Sequence, residues 1–534
     1  MAVAPHHRAP TTREAVPSGQ SVVHGRRRDA ETPRVQGMSG AASSPRGELA
    51  RGGALSFAGS AVSAVMGLVL IVILGRLLGD AGSGVVLQAV GIFTIALGVA
   101  RFGMDSAAIW ILPRQLEDQR QLLRPTGAFL LITSAVVGLV CSAVLFVGVL
   151  IVEAQAPGDE VAAALRTIVW FLPVASVMLT ALSATRALGK VNAYVLVGNV
   201  ALPTLRPIAI AVAVGLGAGA VAASFAWALP LLPAAIAAIA VMLVQLRRLG
   251  RTSEPGFLRS DVPKRTLQYA LPRVVSSALE QLLIWLAVII VGAIAGPAAA
   301  GVYGSASRFV AAGMIVDTAL RVVVSPMFSR MLHRKDTGEL ESVYRTATVW
   351  LVLFSTPVYI LLAVFAPVAL SLLGESFADG QSVLIVMSVG SIVTFLAGNI
   401  HSVLLMSGRS GLAALNKAVA VAVNVALIYL FVPLWGITGA AVAWAVACAL
   451  DAALASLQVR FVLGLRVSPL AGLYPLVVAI VTIGVPAAGF RLLFGATWLG
   501  LIATAMVGAA LFLTWCRLDR RRLHLDQLRL PGAR

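Results

Sequence analysis

Residues 101–114, RFGMDSAAIWILPR, place an arginine and an aspartate four apart at the end of a charge-free run, VVLQAVGIFTIALGV (85–99). The pattern recurs with Arg206, Glu280, Arg308, Asp317 and Arg321, each inside an otherwise apolar stretch. A charge at the centre of a bilayer costs at least about 2.5–3.5 kcal/mol on insertion scales, so such groups face a wet cavity or a partner. Guanidinium groups bind phosphate oxygens through paired N–H donors and stay charged when partly desolvated. The chemistry on offer is anion binding inside a membrane, with carboxylates to tune it or to pair with it. Arg101 precedes Pro113 by twelve residues, roughly 18 Å along a continuous helix, which is too deep for easy snorkelling. Asp105 lies one turn on, on the same face, so an intrahelical ion pair stands beside the reading of a cavity-facing Arg101 tuned by Asp105. Glu280 reads as the acid for cation or proton coupling, or as the salt-bridge partner of an arginine.

Long apolar elements must position these groups. The chain has 534 residues, 59% hydrophobic and 12% charged, where soluble chains run about 45–50% and about 25%. Continuous apolar runs argue for membrane helices and against a barrel, which alternates in segments of about ten residues. Counting runs long enough to cross predicts fourteen spans: 53–75, 83–112, 125–152, 161–185, 192–215, 219–246, 267–294, 300–328, 343–365, 380–406, 411–432, 436–462, 469–491 and 496–516. The loops after even-numbered spans are basic (Arg114, Arg120 and Arg124; Arg186 and Lys190; Arg330, Arg334 and Lys335), and the opposite loops are short or acidic. That alternation puts both termini in the cytoplasm and accounts for the net charge of +18 without a nucleic-acid partner. Residues 1–51 carry eight Arg against four acids and read as a disordered basic tail. Cys141, Cys448 and Cys516 form no metal or redox spacing.

The chain also repeats itself. LLGDAGSGV (77–85) parallels AIAGPAAAGV (293–302), LGK (188–190) parallels SGR (407–409), and GLGAGAVAASFAW (215–227) parallels WGITGAAVAWAV (435–446). The fold class expected is an all-α polytopic membrane protein of two parallel six-helix repeats plus two C-terminal helices. Its parts are the tail 1–51, an N-terminal lobe 52–246, a basic linker 247–266, a C-terminal lobe 267–465, two further spans in 466–516 and a basic tail 517–534. Parallel repeats of this kind carry a substrate path between the halves in transporters.

ALSFAGSAVSAVMGLVLIVILGRLLGDAGSGV followed by RFGMDSAAIWILP, and later ALPRVVSSALEQL, AGVYGSASRF, LLGESFADGQSVLIVM and GITGAAVAWA, resemble in order the bacterial polysaccharide flippases. These belong to the MATE-like superfamily that also holds the lipid II flippases, and the resemblance covers residues 52–465. It implies a MATE-like fold, and transport of an undecaprenyl-pyrophosphate-linked oligosaccharide from the cytoplasmic to the outer leaflet through a cationic cavity. It also implies that spans one, two, seven and eight line that cavity, which would bring Arg101, Arg308 and Arg321 to the pyrophosphate, with Arg206 as a further cavity cation and Asp317 as a charge partner. Arg76 reads as an interfacial anchor, and Asn399, His401, Asn424 and Asp451 as interhelical hydrogen-bonding groups.

GxxxxGK[ST], HExxH and GxSxG do not occur, and the outer loops are short. An enzyme is therefore not expected, nor a cofactor or metal; an ion or proton gradient, or product concentration, is left to drive transport. The expected partners are the lipid-linked oligosaccharide, membrane lipids, and the polymerase and glycosyltransferases of the same route. The expected location is the bacterial cytoplasmic membrane. A lipid II flippase and a cation-coupled multidrug antiporter are the alternatives.

Overall fold

Apolar runs of this length must satisfy every backbone group internally, and helices do so. The computed structural model describes residues 45–189, 191–249, 261–465 and 469–527, and among them no strand occurs. Most of the 1–51 tail, the middle of the 247–266 linker and the end of the 517–534 tail lie outside the described residues. Residues Ala50–Arg534 form one compact unit.

Among the described residues, 12 helices are long and apolar enough to cross a membrane. Two of them are far too long to cross once. The stretch Leu55–Asp118, which also takes in a short break at 101–103, has 64 residues and Val262–Gly313 has 52, whereas about 20 residues span about 30 Å of hydrocarbon. Each is kinked at a glycine, Gly79 (φ 68°, ψ −169°) and Gly296 (φ 88°, ψ 170°). A Cβ disfavours positive φ, so glycine is what lets the chain turn there. These two glycines are 217 residues apart, and further left-handed glycines pair at nearly the same offset: 158 with 374 (216), 189 with 408 (219) and 217 with 436 (219). The internal repeat thus extends to backbone conformation.

Arg206 lies on the helix Leu202–Gly215 and Trp227 on Ala220–Ala228; the other helices the site uses are α1 (Pro45–Ala100), α2 (Met104–Asp118), α3 (Val262–Gly313), α4 (Ile315–Arg334), α5 (Thr337–Val364), α6 (Gln381–Phe395), α7 (Ile400–Met406), α8 (Ser410–Trp435) and α9 (Ile437–Val462). The principal core runs from Ile71 and Phe93 through Trp227, Val291 and Tyr303 to Ala443, joining both halves of the sequence. A second core gathers Phe328, Tyr344, Ile400, Val403 and Val459.

The two halves meet along α1 and α3, which pack antiparallel. A Cβ on Gly84 would lie 1.7 Å from the Pro297 carbonyl oxygen, and one on Gly301 would lie 2.0 Å from that of Asp80. Both pairs, 84 with 301 and 80 with 297, are 217 apart, so the contact is its own mirror under the repeat. Further along, Gly91 makes room for Trp285, Gly98 faces Ser277 and Gln281, and Gly103 faces the Ala270 carbonyl. Small residues that bring backbones close are the usual means of helix association where lipid supplies no hydrophobic drive.

Candidate functional site: a charged seam between two broken helices

Arg101 does not sit in a continuous helix. α1 ends at Ala100 and α2 begins at Met104; Phe102 (φ 49°) and Gly103 (φ 67°) are both left-handed. The depth expected from an unbroken helix therefore does not apply. The Ala100 carbonyl near the break is satisfied by Ser176, whose hydroxyl donates to it at 3.0 Å. Arg101 Nη1 donates to Asp105 Oδ2 at 3.1 Å. Asp105 lies in the first turn of α2, where the helix dipole favours a carboxylate. The expected pair forms, yet Arg101 Nε is buried and has no partner.

The second half carries a comparable break between α3 and α4, at Met314. Here the Val310 carbonyl accepts a hydrogen bond from the Tyr359 hydroxyl at 2.8 Å. Asp317, in the first turn of α4, accepts from Arg321 Nη2 at 2.6 Å and from Asn399 Nδ2 at 3.1 Å. The Asp317 side chain is 8% exposed and that of Arg321 is 53% exposed.

Arg308 and Arg206 are held differently. The Arg308 guanidinium lies 3.8 Å over the Trp285 ring and that of Arg206 lies 3.9 Å over Trp227. Such stacking draws a cation to the face of the ring, an attraction that strengthens to about 2 kcal/mol when the pair is desolvated. Trp285 packs on Gly91, and Trp227 meets the ring of Phe93 edge-on at 5.6 Å. Residues two apart on a helix point to different sides, so both Arg–Trp pairs lean on one turn of α1 from different sides. Arg308 Nη2 and Arg206 Nε are buried and have no partner. Three of the four arginines thus keep a buried, unpartnered N–H, an unsatisfied donor that an anion would satisfy.

Glu280 is exposed, beside the residues of α3 that face Gly98, with no hydrogen bond or ion pair among the described residues. Arg273 lies on α3 between Ala270 and Ser277, half-buried and likewise unpartnered. Sequence reasoning missed Arg273, although a cation inside a predicted span is the same signal that found the others. It also missed Lys417, which donates to Asp451 Oδ2 at 2.5 Å. Arg76 does more than anchor an interface: its guanidinium donates to the carbonyls of Leu372 (2.8 Å) and Ser371 (2.6 Å), tying α1 to the far half of the sequence. Asn424, expected to bond between helices, leaves its buried Oδ1 without a partner.

This is a multi-pass helical membrane protein with two related halves and cations along the seam between them. The chain belongs to the polysaccharide biosynthesis protein family, whose profile matches residues 49–332. A curated relative, "Probable low-salt glycan biosynthesis flippase Agl15" of Haloferax volcanii, is 27% identical over 187 residues, which are 35% of this chain and 40% of the relative. The matched stretch thus spans well under half of that relative. Among solved structures, the lipid II flippase MurJ in an inward closed conformation matches with a TM-score of 0.66 at 13% identity, covering 89% of this chain and 100% of that one. A MOP superfamily transporter from Pyrococcus furiosus matches with a TM-score of 0.57 at 15% identity, covering 79% and 96%. At such identities the likeness is one of fold.

Proposed function

We propose that the chain is a flippase that carries a lipid-linked oligosaccharide, joined through pyrophosphate to undecaprenol, from the cytoplasmic to the outer leaflet by alternating access. The observation that carries this reading is the pair of unpartnered, buried guanidinium N–H groups of Arg101 and Arg308 on the helices of the seam, with that of Arg206 on the far side of α1 as a further buried cation. A pyrophosphate can satisfy several such donors at once, and its charge offsets theirs. Family membership, the relative's description and the MurJ-like fold support the same reading. Arg321 and Arg273 are later contacts along the same path. The lobes are 52–246 and 267–465, and fourteen crossings with both termini inside follow if the two overlong helices each cross twice, divided at Gly79 and Gly296. The site is the cytoplasmic membrane of a bacterium, and the polymerase and glycosyltransferases of the pathway act before and after it. The reading calls for no cofactor, and an ion or proton gradient, or the concentration of product, drives the cycle.

A lipid II flippase is the second reading, favoured by the near-complete coverage of the MurJ fold. Both cargos present the same pyrophosphate, so the sugar discriminates. Depleting the protein and analysing undecaprenyl-linked lipids by mass spectrometry decides between them. Accumulation of one pathway oligosaccharide supports the first reading and accumulation of lipid II the second. Accumulation of neither, together with new sensitivity to cationic dyes, overturns both in favour of an antiporter.

A further inference from the structure

Outside the seam, one cluster of buried titratable groups has no part in the function proposed above. Asp451 on α9 is buried, its side chain 4% exposed. Lys417 from α8 donates to its Oδ2 at 2.5 Å, and His401 Nε2 from α7 stands 3.4 Å from the same oxygen. The other oxygen, Oδ1, is buried with no partner. Three helices thus bring an acid, an ammonium and an imidazole to one point, and leave one carboxylate oxygen open.

His401 follows an unwound turn. α6 ends at Phe395 and α7 begins at Ile400, with Gly398 left-handed (φ 57°) and packed so closely that a Cβ would lie 2.1 Å from Thr348 Oγ1. The freed Ala397 carbonyl accepts from the Tyr344 hydroxyl of α5. Asn399, in the same turn, holds Asp317 and through it Arg321. The start of α7 thus touches both groups, His401 the acid–base cluster and the capping Asn399 the aspartate that holds Arg321, and the unwound turn before them lets that helix start move.

We infer that His401, Asp451 and Lys417 form a proton-binding site whose charge state is passed through the unwound 396–399 turn to Asp317 and Arg321. The role as the coupling step of transport rests on the flippase reading. The carboxylate and ammonium cancel, so the cluster is neutral when His401 is neutral. One proton, taken by His401 Nε2 or by Asp451 Oδ1, leaves a single positive charge in a low-dielectric setting, where charge acts strongly. The His401 side chain keeps 26% exposure and that of Asp451 4%, so the proton enters by the imidazole. A bare metal ion fits poorly: the ammonium already occupies one carboxylate oxygen, and among the described residues no three His, Cys, Asp or Glu side chains come together to hold one. The other titratable or charged groups acting on the cluster are Asp317 and Arg321 on α4 and Cys448 on α9. Beside Asp451, Asp317 is the anion that acts on His401, and an added positive charge there competes with Arg321 for it, releasing that guanidinium toward the seam.

The test measures shape as well as transport. In the full chain with Cys141, Cys448 and Cys516 replaced by alanine, and thermal stability checked, nitroxides are placed at Arg120 and at Arg334, the end of α4. Double electron–electron resonance distances are recorded at pH 3.5 and pH 8, a window wide enough for a histidine displaced by its surroundings as well as for an ordinary one. The expected result is a distance distribution that shifts with pH in this parent and is the same at both pH values in His401→Gln and in the charge-neutral double variant Lys417→Met/Asp451→Asn. A parent without a pH shift, or a shift that persists in both variants, overturns the site. The same proteins in liposomes are then given undecaprenyl pyrophosphate bearing a fluorescent N-acetylglucosamine under an imposed pH gradient. Flipping that responds to the gradient in the parent but not in His401→Gln makes the site the coupling step, and an equal response in both removes that role. A parent that shifts with pH yet flips none of this lipid sinks the flippase reading while the proton site stands.

Discussion

The two broken helices of the seam are built alike and wired differently. In each, a helix stops, a nearby carbonyl is capped by a hydroxyl from another helix, and an aspartate opens the next helix. The first half places its arginine at the break, before the acid; the second places it one turn after. Asp105 serves Arg101 and its own turn, where it accepts from the Ser106 N–H at 2.8 Å. Asp317 serves Arg321 and, through Asn399, a separate helix. The first break thus leaves its arginine near a single acid and free to meet a ligand. The second joins Asn399, two residues before His401 of the Asp451 cluster. Related halves can share a scaffold and still wire their charges differently, one acid serving its own helix and the other joining two.

The most damaging test of the likeness is at the reciprocal contact. Gly84→Val and Gly301→Val each drive a side chain into a backbone carbonyl, and each should cost about 3 kcal/mol of stability and abolish complementation of a depleted strain. Thermal melts in detergent should show equal losses; a loss in one variant alone would break the symmetry.

The difference between the halves is sharpened by the aspartates. Asp317→Ala strands Arg321 and Asn399 and should destabilise by about 3 kcal/mol, whereas Asp105→Ala should cost about 1 kcal/mol. Melting temperatures measured side by side decide it, and equal costs would remove the claim that only the second acid is structural.

Arg101→Ala should lower flipping at least tenfold, about 1.4 kcal/mol, with abundance on an immunoblot nearly normal. Lost abundance would mean that the pair with Asp105 holds the fold. The smallest expected effect is at the rings: Trp285→Leu and Trp227→Leu each remove a stacked cation contact worth about 1 kcal/mol, read as a modest fall in melting temperature.

Much of this architecture is legible in the amino-acid sequence. Membrane crossing follows from run length, and the pairing of Arg101 with Asp105 from their spacing. The repeat is visible in LLGDAGSGV and AIAGPAAAGV, which contain the two kink glycines. The breaks at 101–103 and at 314 are not visible, because a helix pattern runs through both. The aromatic seats of Arg206 and Arg308 are hidden as well. Trp227 and Trp285 lie 21 and 23 residues from the arginines they support, on spacings that no helix face relates.

The sequence by itself determined which segments enter the membrane and which of them carry charges, because transfer from water depends on local composition and helix periodicity on near neighbours. Only the tertiary structure decided what each charge meets. Arg101 found its acid within one turn, but the mirror contact of Gly84 with Gly301 and the meeting of His401, Lys417 and Asp451 join positions 16 to 217 residues apart. Such contacts depend on how whole helices pack, and packing is a property of surfaces that no single stretch of chain contains.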